Sequence, residues 1–314
     1  MPGHDRMTHF ENAAEKLEFG KIRQRVLRYA MSDAGREVLE RAPVLTDPDA
    51  IRSALGQVTA MKRLLEVEEA LPLEGIHPVR SAIQKAGVEG SILTSRELAH
   101  IGSTLHAARI IRTALHKRRD AHPDVWRFAE DLPTDKVLEF NIDQAIDDTG
   151  AVRASASREL QSIRRSIADH YEELRNRLEG ILRTVSGLGY SQDEIITTRE
   201  GRMVLPVKVE HKKHVPGFIH SASASGATVF IEPTETLELN NDIRSLQFQE
   251  QREIERILRD LTIAVGEQRP ALLRMVDMLA ALDAVQARAK YSIEVLGVEP
   301  RIAREGVLHL REAR

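Results

Sequence analysis

Basic side chains are concentrated in one short stretch in the middle of the chain. Between residues 199 and 214, five lysines and arginines accompany only two glutamates. The five cations are Arg199, Arg202, Lys208, Lys212 and Lys213. Ammonium groups bind phosphate as point charges and guanidinium groups as bidentate donors. We therefore predict that these side chains contact nucleic-acid phosphate, with His211 and His214 able to add charge at lower pH.

The histidines of the sequence HKKH, residues 211–214, are three residues apart and raise the question of a metal site. Only Glu210 lies nearby as a further ligand, the chain has no cysteine, and the pattern predicts a hairpin there. The pair Asp147 and Asp148 is predicted to belong to a surface turn, because nothing in the sequence puts a base or nucleophile beside it. We therefore expect no metal site, no catalytic residue and no cofactor in this chain.

A run of small residues, SASASG at 221–226, precedes an apolar run that stops at Pro233. The chain has no Gly-x-x-x-x-Gly-Lys-Ser/Thr sequence, which excludes a nucleotide-binding loop of that type. No Gly-x-Ser-x-Gly sequence surrounds Ser223 or Ser225, which argues against a serine nucleophile. We interpret the run as a tight turn in which Ser225 and Gly226 are structural and Pro233 ends the last strand.

A second basic stretch, residues 109–119, contains five cations and no acid. Cations in the last turns of a helix complement its dipole, which favours a structural role over a second binding patch. The formal net charge of −3 gives the whole chain no attraction to nucleic acid. Any such binding must therefore come from local patches.

The chain has 314 residues, of which 42% are hydrophobic and 30% charged, enough for two domains or one extended domain. The start, Met1 to Thr8, is polar, and no stretch approaches 18 uninterrupted apolar residues, so we expect neither a signal peptide nor a membrane span. The lack of cysteine fits a reducing compartment. These features predict a soluble, cytoplasmic protein.

Residues 1–150 are predicted to form a helical core. Thr94 and Glu97 have capping-box spacing, and apolar residues then recur at helical period as far as Leu115. The sequence DDTG at 147–150 predicts the turn that ends this region.

Two long amphipathic patterns follow, and we expect each to be a single helix. The outgoing helix, within residues 151–193, has a heptad-like seam over 26 residues that is typical of a helix with a coiled-coil partner. The returning helix, within residues 234–268, has a similar seam with one polar interruption at Glu250. We expect the two helices to pair antiparallel over roughly 40 Å and to carry residues 194–233 at their far end.

Residues 194–233 predict a small β module. A β-branched run at 194–198 and an alternating run at 202–210 predict two strands joined by a tight Glu-Gly turn. Pro206 predicts that the second strand lies at a sheet edge or carries a bulge. The fold class is therefore mainly α: a helical core plus long antiparallel lever helices that carry a small antiparallel β module at their tip.

Residues 269–314 are predicted to return to the core. Apolar residues from Leu272 to Leu282 lie on one face of a helix, and the sequence at 306–314 begins what we predict to be a new strand. From a strand start with nothing after it, we expect either a truncated chain or a boundary just before another domain.

The chain resembles the bacterial MutS type-two family, a paralogue distinct from mismatch-repair MutS, most clearly in IITTREGRMVLPVKVEHKKHVPGFIHSASASGATVFIEP at 195–233. LNN and EIERILRDL after this block fit the same family. Earlier pieces resemble it in the same order: LEFGKI at 17–22, PLEGIH at 72–77 and SASRELQSIRRSI at 155–167. The resemblance therefore covers nearly the whole chain.

The resemblance implies a modular protein in which a helical core, lever helices and a clamp-like tip precede a dimerising ATPase domain and a C-terminal nuclease-like module. HLREAR at 309–314 resembles the run that leads into that ATPase domain. The intact protein is then expected to be an ATP- and Mg²⁺-dependent homodimeric ATPase and endonuclease. Its implied targets are branched DNA, with suppression of homologous recombination, and stalled ribosomes through ribosomal RNA. This chain alone is expected to catalyse nothing.

Two functions stay open at this point. In the first, the chain is the non-catalytic nucleic-acid-binding arm of such a protein. In the second, its tip is a structural surface for dimerisation or for a protein partner, and the basic residues only keep it soluble.

Overall fold

The structure, a computed structural model, describes residues 13–68, 70–302 and 309. These residues divide into two compact units. The core unit comprises the residues up to Ala151 and those from Arg259 onward, and the hairpin unit comprises Val152–Leu258. The boundary between Leu258 and Arg259 falls inside one continuous helix. It does not test the domain boundaries expected at residues 194, 234 and 268, which stay predictions.

Helices dominate the described part of the chain, as predicted. They are α1 (Phe19–Leu27), α2 (Asp33–Glu40), α3 (Pro48–Val67), α4 (Arg80–Ala86), α5 (Ser95–Lys117), α6 (Pro123–Trp126), α7 (Lys136–Ala145), α8 (Arg158–Gly187), α9 (Leu237–Glu267) and α10 (Arg269–Glu294). Short 3₁₀ helices occupy Ala154–Ala156, Val209–His214 and Thr234–Thr236. The strands are β1 (Thr197–Arg199), β2 (Arg202–Lys208), β3 (Gly217–Ala222) and β4 (Thr228–Pro233).

The predicted capping box at the start of α5 is confirmed. The Thr94 hydroxyl accepts from the Glu97 backbone N–H at 3.2 Å, and the Glu97 carboxylate accepts from the Thr94 backbone N–H at 2.7 Å. Two orphan donors of the first turn are thereby satisfied. The predicted apolar face of α5, as far as Leu115, is buried.

The packing of α2 against α10 depends on Asp283, a fully buried carboxylate. It accepts from the backbone N–H groups of Met31 and Ser32 and from the Ser32 hydroxyl, at 2.6–3.1 Å. The same hydroxyl caps α2 by accepting from Gly35 N–H at 3.0 Å. A Cβ atom on Gly35 would lie 2.2 Å from a carboxylate oxygen of Asp283, so only glycine permits this close approach.

The hairpin unit contains α8 and the first part of α9, which run antiparallel as predicted. Polar contacts join them in reverse chain order: the Ser157 hydroxyl donates to Glu253 at 2.6 Å, Arg164 to Glu250 at 2.7 Å, and the Gln247 amide to the Tyr171 hydroxyl at 3.1 Å. The polar interruption at Glu250 is therefore an ion pair with the opposite helix.

Glu253 is 5% exposed, so a carboxylate occupies the interior of the helical pair. Arg256 donates two hydrogen bonds to it, at 2.7 and 2.8 Å. These bonds, with that from Ser157, lower the pKa of Glu253 and keep the buried group charged. The sequence pattern did not predict this acid as an interior residue.

The four strands form one antiparallel sheet in the order β1-β2-β4-β3. Thr197–Arg199 pairs with Arg202–Val204, and the turn between them has Glu200 at φ 50° and Gly201 at φ 78°. Two positive φ values are characteristic of the hairpin turn that the Glu-Gly pair predicts. Leu205–Lys208 pairs with Thr228–Ile231.

Three details of the predicted β module are wrong. The first strand is Thr197–Arg199 and not 194–198, and the second ends at Lys208, where a 3₁₀ turn replaces the expected extension to residue 210. Pro206 lies in an interior strand, while the bulge is in β3 between Ile219 and Ser221.

Pro206 is tolerated in β2 because β1 ends before it. Its carbonyl accepts from the Gln192 N–H at 3.1 Å, on the side opposite β4. A residue in an antiparallel strand directs its N and O to the same side, so the missing proline N–H costs nothing in the ladder with β4.

One face of the sheet packs on the helical pair. Leu205, Val207, Val229 and Ile231 are buried against a stripe from both helices, which consists of Leu174, Leu178, Leu182, Val185, Leu239 and Ile243. The sheet therefore lies where α8 ends and α9 begins, and it shares one apolar cluster with them.

Apolar residues of α10 that the sequence predicted to share a face, from Leu272 to Leu282, are buried. The strand expected at 306–314 and the family-like sequence at 309–314 fall outside the described residues, apart from His309.

Candidate nucleic-acid interface

Lys212 and Lys213 lie on the 3₁₀ turn Val209–His214 that joins β2 to β3. The turn is fixed at both ends, because Val209 N–H donates to the Ala227 carbonyl at 3.0 Å and Val215 is 5% exposed. Both lysines are exposed. Neither ammonium group has a hydrogen bond or an ion pair with any residue that the structure describes.

An aromatic cluster lies at the base of the same turn. The Tyr190 ring stacks on His211, with centroids 4.4 Å apart, and on His214, with centroids 5.1 Å apart. The Tyr190 carbonyl also accepts from the Lys208 N–H at 2.9 Å. The cluster thus attaches the lysine turn to the chain that leaves α8, and the histidines serve here as packing partners of a tyrosine.

No group of three or more histidine, aspartate or glutamate side chains suited to a metal ion occurs in the described ranges. His211 and His214 have ring centroids 6.1 Å apart and contact Tyr190. HKKH forms a turn stacked on Tyr190, and the hairpin predicted there is wrong, because β4 lies between the two strands that this turn joins.

Arg202 has a different environment from the two lysines. Its Nη1 lies 2.6 Å from Glu232 Oε1, and its Nη2 donates to the Asn241 side-chain oxygen at 2.6 Å. Glu232 is 1% exposed, and His220 Nε2 lies 2.6 Å from its other oxygen. Arg202 therefore neutralises a buried acid, and its contact with phosphate stays a prediction.

Arg199 covers the neighbouring position on the same face of the sheet. Its guanidinium carbon lies 4.0 Å from the centroid of the Phe230 ring, a cation–π contact. The side chain also donates to the Thr198 carbonyl at 3.1 Å. Lys208 donates to the Gly189 carbonyl at 3.0 Å. Arg199 and Lys208 therefore already make contacts within the module, although each keeps its charge.

The structure shows that Phe230 and Glu232 lie on the sheet face opposite the apolar cluster. Alternation along β4 puts Val229 and Ile231 on the helices and these two residues on the other side. Sequence reasoning missed Glu232 as the partner of Arg202 and His220 as the second partner of Glu232. The only signal was a single acid within the apolar run ATVFIEP.

The small-residue run forms the turn between β3 and β4. Gly226 has φ 72°, its N–H donates to the Ser223 carbonyl at 2.9 Å, and the Ser223 hydroxyl accepts from the Thr228 N–H at 3.1 Å. Ser225 lies within 3.5 Å of the Ala227 N–H. Pro233 ends β4, and the chain enters α9 through the 3₁₀ turn that follows.

The second basic stretch is largely paired within the core unit. Arg109 binds Glu139 through two nitrogens, both at 2.8 Å, and these bonds hold the pKa of Glu139 below its ordinary value. Arg112 donates to the Glu130 carbonyl at 3.2 Å, and Arg118 pairs with Glu68 at 3.0 Å. These contacts favour the structural interpretation of the stretch.

None of the helices in the described ranges is long and apolar enough to cross a membrane. No family model matches the chain.

Curated proteins named "Endonuclease MutS2" are similar to almost all of the chain. That of Symbiobacterium thermophilum is 36% identical over 304 residues, which are 97% of this chain and 38% of that protein. Those of Pelotomaculum thermopropionicum and Geobacillus sp. (strain WCH70) are each 35% identical, over 97% and 99% of this chain and 39% of their own lengths. The chain thus spans about two fifths of the length of the curated relatives that it matches. The chain is therefore similar, at about 35% identity over 97% of its own length, to a part of each of these proteins.

Proposed function

We propose that the hairpin unit binds nucleic acid through the turn that carries Lys212 and Lys213. The observation behind this proposal is the contrast within one basic stretch. Arg199, Arg202 and Lys208 are engaged with Phe230, Glu232 and Gly189, whereas the two lysines have no partner among the described residues. Exposed ammonium groups on a fixed turn can bind two phosphates without first breaking an internal contact.

Binding of this kind reads the backbone and not the bases. Lysine presents a compact charge with three rotatable donors, so it tolerates many phosphate positions and adds no sequence preference. Arg199 and Lys208 keep their charge and add to the local positive field. The contact is therefore proposed to be independent of sequence and strongly dependent on salt.

The relatives support a role in a nucleic-acid enzyme, since they are named endonucleases. Because the chain spans about two fifths of their length, we propose that it supplies a binding part without catalysing a reaction. The intact protein is then proposed to be a homodimeric, ATP- and Mg²⁺-dependent ATPase and endonuclease. Its proposed targets are branched DNA, which links it to suppression of recombination, and ribosomal RNA in stalled ribosomes.

The test is the double variant Lys212→Glu/Lys213→Glu, assayed by fluorescence anisotropy with a labelled four-way junction, a linear duplex and an RNA hairpin. We expect affinity for all three to fall by at least about tenfold at low salt, because two phosphate contacts become repulsive. A loss confined to the junction or to the RNA identifies the preferred target class.

The matched control is Lys16→Glu/Lys117→Glu, which changes the net charge by the same amount. Both of these lysines are exposed and lie in the core unit. We expect the control to bind nearly as the unmodified chain does. Equal losses in both double variants would show that only net charge matters and would contradict the proposal.

A second function is favoured by one specific observation. Phe218 and Ile219, on the edge strand β3, are 63% and 51% exposed. Exposed apolar side chains on a sheet edge are typical of a contact surface for another protein. Under this alternative the module is a dimerisation or partner-binding surface, with no direct contact to nucleic acid.

Light scattering separates the two functions. If the alternative is correct, Phe218→Ser/Ile219→Ser converts a dimer of this chain to a monomer and leaves nucleic-acid affinity unchanged. If the lysine turn is the binding element, the serine variant keeps both its mass and its affinity.

A further inference from the structure

An apolar cavity of about 430 Å³ lies in the core unit, far in sequence from the lysine turn. It is bordered by α1, α2 and α10 and by the residues that flank α1 and α2. Its apolar walls include Leu17, Phe19, Ile22, Val26, Leu39 and Val44. The cavity has the size and the apolar lining of small-molecule sites, which usually occupy about 300–1,000 Å³.

Two arginines line this cavity, and no aspartate or glutamate does so among the described residues. Arg288 comes from α10, is partly buried, and has no hydrogen bond or ion pair with any described part of the chain. Arg23 comes from α1, where its guanidinium lies 5.4 Å from the Phe19 ring centroid and 3.4 Å from the Glu40 carbonyl. The cavity therefore combines apolar walls with two cations that have no carboxylate partner among the residues the structure describes.

An unpaired buried charge is costly, and arginines in protein interiors are normally paired. Burial lowers the pKa of Arg288 below its ordinary value. The shift reflects the free-energy cost of removing the charged guanidinium from water. By contrast, the buried acids Glu232 and Glu253 each have an arginine partner at 2.6–2.8 Å. Arg288 therefore differs from these two acids, because it has no charged partner among the described residues.

We propose that this cavity binds a small amphiphile with an anionic head and an apolar chain. The head, a carboxylate or a phosphate, pairs with Arg288 and Arg23. The chain lies against the Phe19, Val26 and Leu39 side of the cavity. A guanidinium binds either head through two parallel hydrogen bonds, and an apolar environment strengthens that pair. This site is independent of the proposed nucleic-acid contact, since the two share no residue.

The probe is decanoate, titrated into the 314-residue chain below its micelle concentration by isothermal titration calorimetry. We expect saturable binding of one decanoate per chain. Decyl phosphate, tested in parallel, distinguishes the two head groups. Decanol is expected to bind at least about tenfold more weakly than decanoate, and decyltrimethylammonium is expected not to bind, because both lack an anion that can pair with the partly buried guanidinium.

Three variants test whether Arg288 and the cavity wall bind decanoate. Arg288→Leu should weaken decanoate binding by about 10- to 100-fold, the usual worth of a hydrogen bond to a charged group. Arg288→Lys keeps the charge and should retain more affinity than the leucine variant. Ala42→Trp fills the cavity from its wall while leaving Arg288 in place, so it should abolish binding, and it covers the case in which Arg288→Leu does not fold.

The matched control is Arg36→Leu, an exposed arginine of α2 that does not line the cavity. It should bind decanoate as the unmodified chain does. Decanoate binding that is equal in the Arg288→Leu or Ala42→Trp variant and the unmodified chain would overturn the proposal. So would failure of both decanoate and decyl phosphate to bind.

Discussion

Arg202 and Glu232 form an ion pair within the β module, with Nη1 2.6 Å from Oε1 and side chains that are 17% and 1% exposed. Burying a carboxylate to this extent is costly unless it is paired, and Arg202 supplies an ion-pair partner. The basic stretch 199–213 therefore contains two kinds of cation. Arg202 stabilises the module, whereas Lys212 and Lys213 face solvent without an internal partner among the described residues.

The first prediction concerns this ion pair. Arg202→Met leaves a buried carboxylate with only His220 beside it, so the free energy of unfolding should fall by about 3 kcal/mol. Thermal and urea denaturation of the variant measure this loss. If Arg202→Met unfolds like the unmodified chain but binds nucleic acid more weakly, Arg202 is a phosphate contact after all.

A second prediction concerns the contact between Gly35 and Asp283. Gly35→Ala places a methyl group 2.2 Å from the carboxylate, so we expect a loss of about 1–3 kcal/mol in unfolding free energy. Gly56→Ala is the matched control, because Gly56 lies inside α3 with nothing within 4 Å of its added Cβ. That substitution should stabilise the protein by up to about 1 kcal/mol. Equal effects of the two changes would contradict the assigned role of Gly35.

A third prediction concerns the turn at Gly226. Its φ of 72° lies in the left-handed region, and an added Cβ would meet open space, so the cost of alanine is purely conformational. We expect Gly226→Ala to destabilise the protein by about 1–2 kcal/mol. Gly226→Asn should cost less, because asparagine tolerates this region better. Hydrogen exchange of the β3 and β4 amides would report the change, and equal costs for both variants would argue against backbone strain.

A fourth prediction concerns pH. Burial, and then the neighbouring His100 charge, lower the pKa of His77, whose ring stacks on that of His100 at 4.2 Å. As pH falls below about 6.5, His77 therefore takes up a proton more readily in the unfolded chain than in the folded one. Its contribution to the free energy of unfolding is fully present above that pH and is lost as pH falls toward the lower pKa of the folded state. We expect unfolding free energy to fall between pH 7.5 and 5.5, and His77→Gln to remove part of that fall. An unchanged pH dependence in His77→Gln would refute this assignment.

The helices and their caps were predictable because they depend on local sequence. Thr94 and Glu97 predicted the start of α5, and the heptad-like pattern predicted the antiparallel pairing of α8 with α9. The turn at Glu200 and Gly201 was predictable for the same reason.

What the sequence could not predict depends on contacts between distant residues. Pro206 suggested an edge strand. An interior strand nevertheless accommodates it, because the N–H that proline lacks would point to the side of β2 where β1 has already ended. Arg202 looked equivalent to Lys212, and only the pairing of β2 with β4 brings Glu232 to it. Arg288 carried no signal in the sequence, since its lack of a partner among the described residues follows from the packing of α10 beside α1 and α2.

The salt dependence of nucleic-acid binding tests the central claim most directly. The slope of log K against log salt on duplex DNA should be smaller in Lys212→Glu/Lys213→Glu than in the unmodified chain by about 1.8, since each lost phosphate contact contributes about 0.9. The Lys16→Glu/Lys117→Glu control should keep the unmodified slope. A slope that is the same in both double variants and in the unmodified chain would contradict the assignment of the lysine turn as the nucleic-acid contact.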